Sequence, residues 1–241
     1  MQMLKFLSAL LLAVSLAGCA PVDSLNPLYS DKDVVFDEAL LGQWGTEQDG
    51  LNVARLGVDG YQFVTSSKDD QSGQTVTVVF DAHLVNLQGH RFLDLVCKQC
   101  AALNDSHTFP EVHITPQGSG LKIEPRLVSE GLGVYMELLP GEADGDDYRF
   151  SMRPRQAHWF FKVALEDEGR TLKLVQLDDS WIDQQIRASE LIIDHEFVEG
   201  TSTVLTASTP DLQRLVLDHV NDEQAFCGDT TYKRAGADPL L

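Results

Sequence analysis

The chain has 241 residues, with 18 Lys and Arg against 37 Asp and Glu, for a formal net charge of −19. So acidic a chain is repelled by phosphate backbones and anionic head groups, which argues against a nucleic-acid partner. A hydrophobic content of 43% supports a proper core.

The N-terminus reads as a leader. Lys5 and the amino terminus make a small positive region, and residues 6–16 are almost wholly apolar. That run is too short for the roughly 20 residues a bilayer span needs, but it has the length of a signal-peptide core. Leu16-Ala17-Gly18-Cys19 follows and resembles the lipobox of bacterial lipoproteins. The resemblance implies cleavage before Cys19, a thioether from its sulfur to diacylglycerol, and acylation of the new amine. Two or three acyl chains anchor stably where one does not. Residue 20 is alanine, not the aspartate that commonly retains such proteins at an inner membrane. In a cell with two membranes, the resemblance therefore implies the outer one, facing the periplasm. Residues 1–18 are then the signal peptide, 19–33 the lipidated cysteine and a tether, and 34–241 a single β-rich domain. The tether carries Pro21, Ser24, Asn26, Pro27 and Ser30, and its fourteen residues reach roughly 45 Å if extended. Removing residues 1–18 from the 241 leaves 223, which suits one large all-β domain or two small ones.

Period-two patterns dominate the rest. Residues 51–56 and 61–65 flank Asp59-Gly60, a hairpin signal. From Thr75 to Leu84 apolar and polar residues alternate, and Gln88-Gly89 turns the chain into a partner over 91–96. The least regular stretch runs from Cys97 to Gly120. Shorter strands are expected over 121–123 and 132–138, and a hairpin over 158–165 and 171–177 with an acidic turn ending at Gly169. Ser180 is placed to cap a helix over 181–187, and strands are expected over 191–197 and 203–206. Thr209-Pro210-Asp211 offers a capping hydroxyl, a proline at the first helical position and an acid in the first turn. Leu212, Leu215, Val216, His219 and Val220 then form one stripe. A short strand over 231–234 closes the chain. About ten strands with short connections point to an antiparallel barrel or sandwich with a C-terminal amphipathic helix.

Gly42-Gln43-Trp44 stands at the start of this domain. Lipocalins carry a Gly-x-Trp there, and a late helix precedes their last strand, as one precedes Lys233-Arg234 here. The resemblance implies a barrel whose closed end Trp44 covers, with Gly42 allowing close approach and a basic residue of the last strand lying over the tryptophan. The chain also resembles a set of poorly characterised bacterial lipoproteins, through Asn26-Pro27-Leu28-Tyr29, residues 33–44, Ala82-His83-Leu84, residues 89–94, 158–163 and 205–212. Residues 97–155 are longer than in that set and read as an insertion. The likeness implies an envelope protein and adds little chemistry.

Cys97-Lys98-Gln99-Cys100 is the sharpest enzymatic cue, because close thiols can cycle a disulfide. A thioredoxin-like reading also needs a βαβ setting, which the sequence lacks. A structural disulfide among Cys97, Cys100 and Cys227 fits an oxidising compartment, with the pairing open. His107 and His113 follow the cysteine pair at spacings shorter than a usual zinc finger, so no metal site is expected. Asp105, Ser106 and His107 do not make a triad by adjacency, and Asp144-Gly145-Asp146-Asp147 lacks the spacing of a calcium loop. His83 and His90 flank a hairpin, and Trp159, Phe160 and Phe161 read as core. No catalytic residue and no cofactor are expected. The leading expectation is a membrane-anchored lipoprotein, not an enzyme, binding a hydrophobic small molecule or lipid. The alternatives are a non-catalytic envelope interaction module and a Cys-x-x-Cys redox protein.

Overall fold

The computed structural model describes residues 20–46, 50–68, 75–98, 113–117, 120–124, 127–131, 134–144, 147–198 and 203–236. They form a strand-rich, predominantly antiparallel structure. In chain order the strands are β1 (Asp23–Ser24), β2 (Val34–Val35), β3 (Gly42–Gly45), β4 (Gly50–Leu56), β5 (Gly60–Lys68), β6 (Thr75–Leu87) and β7 (His90–Cys97). Next come β8 (His113–Gln117), β9 (Gly120–Glu124), β10 (Leu127–Gly131), β11 (Val134–Asp144), β12 (Asp147–Gln156), β13 (His158–Glu166) and β14 (Thr171–Leu177). Helix α1 (Asp179–Arg187), β15 (His195–Phe197), β16 (Thr203–Leu205), helix α2 (Thr209–Asp218) and β17 (Phe226–Lys233) complete the order.

The main sheet is an antiparallel meander, β3-β4-β5-β6-β7-β13-β14-β17. Just beyond β17, Arg234 forms an isolated bridge with Trp44 of β3 and the Ala235 N–H donates to Gln43 O at 2.9 Å, but β3 and β17 do not pair as strands. Alternation gives the sheet two apolar faces. Trp44, Val53, Tyr61, Leu84, Leu93 and Leu172 belong to the concave face. Val85, Phe92, Phe160 and Leu177 point the other way and pack under the helices. Leu212, Leu215 and Val216 of α2 are buried there at i, i+3, i+4 spacing, with Trp181 and Ile182 of α1.

Residues 20–33 are not a tether. Val22 and Leu28 are fully buried and Leu25 nearly so. β1 pairs with both β13 and β16. The Asn26 side-chain amide donates to Thr206 O and Ala207 O, and the Leu28 N–H donates to the buried Asp94 carboxylate at 2.7 Å. Val22 and Leu28 pack into the cluster between the outer wall of the sheet and the helices, and Leu25 into a separate one with Tyr135 and Val204, so these residues are part of the packed domain.

Other boundaries also shift. Asp178, not Ser180, caps α1, accepting from the Trp181 N–H. Ser208 is the N-cap residue of α2, while the Thr209 hydroxyl donates to Pro27 O. Of residues 191–197 only 195–197 pair as a strand; Leu191 and Ile193 pack on the helical core and Ile192 is exposed. The stretch between β7 and β13, expected to begin irregularly, carries the β8–β9 hairpin and the three-stranded β10-β11-β12 sheet. Asp144 pairs with Asp147 across the β11–β12 connection. Strand β17 is twice the expected length, with a register shift against β14 between Leu174 and Gln176 and Gly228 at φ +66°. A bulge of that kind interrupts the alternation that would reveal the strand.

Candidate functional site

The concave face is packed at one end and hollow at the other. At the end that carries the turns at 57–59, 88–89 and 167–169, Leu40, Trp44, Tyr61, Leu84, Leu93 and Leu172 fill the space. Toward the opposite end a cavity of about 610 Å³ opens between Leu51, Phe63, Phe80, Leu95, Trp159 and Leu174, within the roughly 300–1,000 Å³ of small-molecule sites. These residues come from β4, β5, β6, β7, β13 and β14, and each sits at an inward position of its strand. Phe80 and Trp159 meet with ring centroids 5.4 Å apart. A depression of about 870 Å³ beside β17 is lined by charged groups such as Asp167 and Lys233; those two pair with each other at 3.1 Å.

The open end of the cavity is polar. Ala20, Pro21, Asp23, Tyr135, Asp179 and Thr203 line it. The N-terminal segment is locked there: Pro21 bridges Asp178, and the Asp179 N–H donates to Ala20 O at 3.0 Å. Asp23 accepts hydrogen bonds from the Tyr135 hydroxyl and from Trp159 Nε1. Burial pushes the Asp23 carboxyl above its ordinary range, against the pull of those two donors. Tyr135 is fully buried and arrives from β11, so the stretch between β7 and β13 contributes to the wall of the site. Asp179 opens α1 and is buried, with its carboxylate 3.5 Å from the Thr203 N–H.

Among the residues singled out in the sequence, Gly42, Trp44 and Arg234 come together at the packed end. The Arg234 guanidinium lies over the Trp44 ring at 4.1 Å and donates to Leu41 O and Gly169 O. Trp44 Nε1 donates to Leu40 O at 2.9 Å. Gly42 has φ +123°, and a Cβ there would stand 3.1 Å from the Arg234 guanidinium, so this position takes glycine for both reasons.

Cys97 ends β7, Cys227 lies in β17, and both are disulfide-bonded. Cys19 and Cys100 lie outside the described residues, as do the leader and residues 105–107. No group of three or more His, Cys, Asp or Glu able to hold a metal occurs among the described residues. His83 stacks on Tyr29 on the outer face. His219 ends α2 and packs edge-on against Trp181. His158 Nδ1 is 2.6 Å from the Asp94 carboxylate, which also holds the Leu28 N–H. That pair fastens the N-terminal segment and does not line the cavity.

Asp23, Tyr135 and Asp179 carry no motif. Asp23 falls in a Pro- and Ser-rich stretch, where the apolar spacing of Val22, Leu25 and Leu28 is the one sign of packing. No helix among the described residues is long and apolar enough to cross a membrane. Set against protein-family models, curated proteins and solved structures, the chain finds no match.

Proposed function

We propose that the chain is an envelope lipoprotein, held by lipid on Cys19 at the outer membrane and facing the periplasm, whose lipocalin-like barrel takes up a hydrophobic small molecule or lipid. The supporting observation is the apolar cavity at one end of an antiparallel sheet whose first strand is bridged to Arg234, just past its last strand. An eight-stranded barrel with one end filled and the other open has room for one small ligand, and a hollow lined by aromatic and aliphatic side chains with a few polar groups at its edge is the common form of such sites. The arrangement of Trp44, Gly42 and Arg234 fits the closed end that the resemblance implies.

Native mass spectrometry of the full chain, released without detergent, tests the binding function. The expected spectrum shows a co-purified apolar molecule, or uptake of the neutral dye N-phenyl-1-naphthylamine at one per chain. A protein that takes up neither has no usable cavity. The anchor has its own test. Cys19→Ala is expected to abolish incorporation of a labelled fatty acid. Cys227 Sγ lies 3.1 Å from the Asp178 carboxylate, and Asp178 bridges Pro21, two residues along the chain from Cys19. Peptide mapping without reduction is therefore decisive: a Cys19–Cys227 crosslink in the processed protein overturns the lipid anchor.

A further inference from the structure

We propose that the cavity selects an amine-ended apolar ligand, with its cationic head between Asp23 and Asp179 at the open end, and rejects the corresponding carboxylate. The inference rests on the binding reading above and deepens it.

The reasoning starts from the composition of the wall. Asp23 and Asp179 are the two charged side chains among the described residues that line the cavity, and both are acids. The remaining polar lining, Thr65, Tyr135, Gln176, Thr203, Thr230 and Tyr232, is uncharged. An apolar tail must occupy the aromatic and aliphatic depth, which leaves its head at the open end beside the carboxylates. Both acids are held there by the backbone. Asp23 lies in β1, clamped between β13 and β16; Asp179 opens α1, tied to Ala20 O. Neither can swing away to admit an anion.

A carboxylate head would meet two acids and no basic side chain among the described lining, in a poorly solvated place where like-charge repulsion is screened least. An ammonium head meets the reverse. Asp23 is buried enough that its ionised form is disfavoured, and an arriving cation supplies a counter-charge that favours it. The rings of Trp159 and Phe80 beside it add a face of negative potential for a cation. The formal charge of −19 draws cations toward the molecule from a distance. That long-range effect is general, so the test must separate it from the site.

The experiment is displacement of N-phenyl-1-naphthylamine from the full chain by dodecylamine, dodecanol and laurate, each below its critical micelle concentration. Three variants accompany it: Asp23→Asn, Asp179→Asn, and Glu190→Gln as an exposed acid away from the cavity. In the unaltered chain dodecylamine should displace the dye at least tenfold more effectively than laurate, with dodecanol between them. Each Asn variant should narrow that ratio by threefold or more, and Glu190→Gln should leave it unchanged. Laurate competing as well as the amine overturns the inference while leaving the cavity reading in place. So does an amine preference that Glu190→Gln reduces as much as the Asn variants do. Dye that does not bind, or that none of the three displaces, removes the cavity reading itself. If an Asn variant fails to fold, the other Asn variant and the ratio in the unaltered chain carry the test, and a ratio below tenfold there overturns the inference.

Discussion

Asp94 ties the N-terminal segment to the sheet. Its side chain is 1% exposed; one oxygen takes the Leu28 N–H and the other faces His158 Nδ1. Removing it leaves a buried donor and a ring nitrogen without their acceptor, and an unsatisfied buried group costs more than the bond itself was worth. Asp94→Ala should lower the unfolding free energy by roughly 2–3 kcal/mol, read as a lower urea midpoint with an unchanged slope. An unaltered midpoint would show that the N-terminal segment does not depend on this carboxylate. Asp23 behaves oppositely. Its folded-state pKa is raised by burial, so the stability it contributes is full below its unfolded pKa and is lost as pH rises through the folded one. Asp23→Asn removes that dependence. The variant should gain on the unaltered chain as pH rises above the ordinary carboxylate range in paired urea titrations, and a constant difference would contradict the burial. Asp37 has the usual sign. Burial raises its pKa, but the Ala39 N–H and the Arg91 guanidinium at 2.6 Å outweigh that and hold it low, so its contribution is lost in acid.

Among the elements, the strands with unbroken alternation were legible. Residues 51–56, 61–65, 75–84, 91–96, 158–165 and 171–177 fall inside β4, β5, β6, β7, β13 and β14, because one face of each is buried and hairpin turns mark their ends. What escaped had a physical cause in each case. Strand β17 is interrupted by Gly228 and a register shift. Leu191 and Ile193 alternate with Ile192 yet have no neighbouring strand, only helices to pack on. Residues 20–33 look like linker because Pro, Ser and Asn dominate them, while their partners stand as far along the chain as Asp94 and Thr206. Such contacts leave no periodicity. The consequence is measurable. Burying Val22, Leu25 and Leu28 contributes roughly 1.5–3 kcal/mol per side chain before the entropy of ordering them. A chain begun at Asp33 should therefore unfold at a clearly lower urea concentration than one begun at Ala20, and should expose Leu212, Leu215 and Val216 to protease first. Equal midpoints would restore the tether reading.

At the scale of the whole molecule, the candidate site is a difference between two ends of one sheet, and no local pattern announces it. Inward residues at both ends are apolar, so alternation cannot distinguish a filled interior from a hollow one. Phe63 and Leu84 look alike in sequence, yet Phe63 borders the cavity and Leu84 lies in the packed end. The difference is set by volume, and volume can be tested by adding to it. Leu95 and Leu174 face each other's strands across the cavity wall, on β7 and β14 with β13 between them. Leu95→Trp combined with Leu174→Trp adds two large rings to the hollow. In a close-packed interior, over-packing of this kind forces strained rotamers and costs about 1–3 kcal/mol at each site. In a cavity of about 610 Å³ the rings find room and gain contacts that the empty space denied to its lining. The double variant should therefore keep its β-rich circular-dichroism spectrum and a urea midpoint at or above that of the unaltered chain, while dye affinity falls at least tenfold. A midpoint lowered by the equivalent of several kcal/mol, in a chain that never bound the dye, would mean a filled interior. The protein would then act through its outer surface, as an interaction module without a ligand.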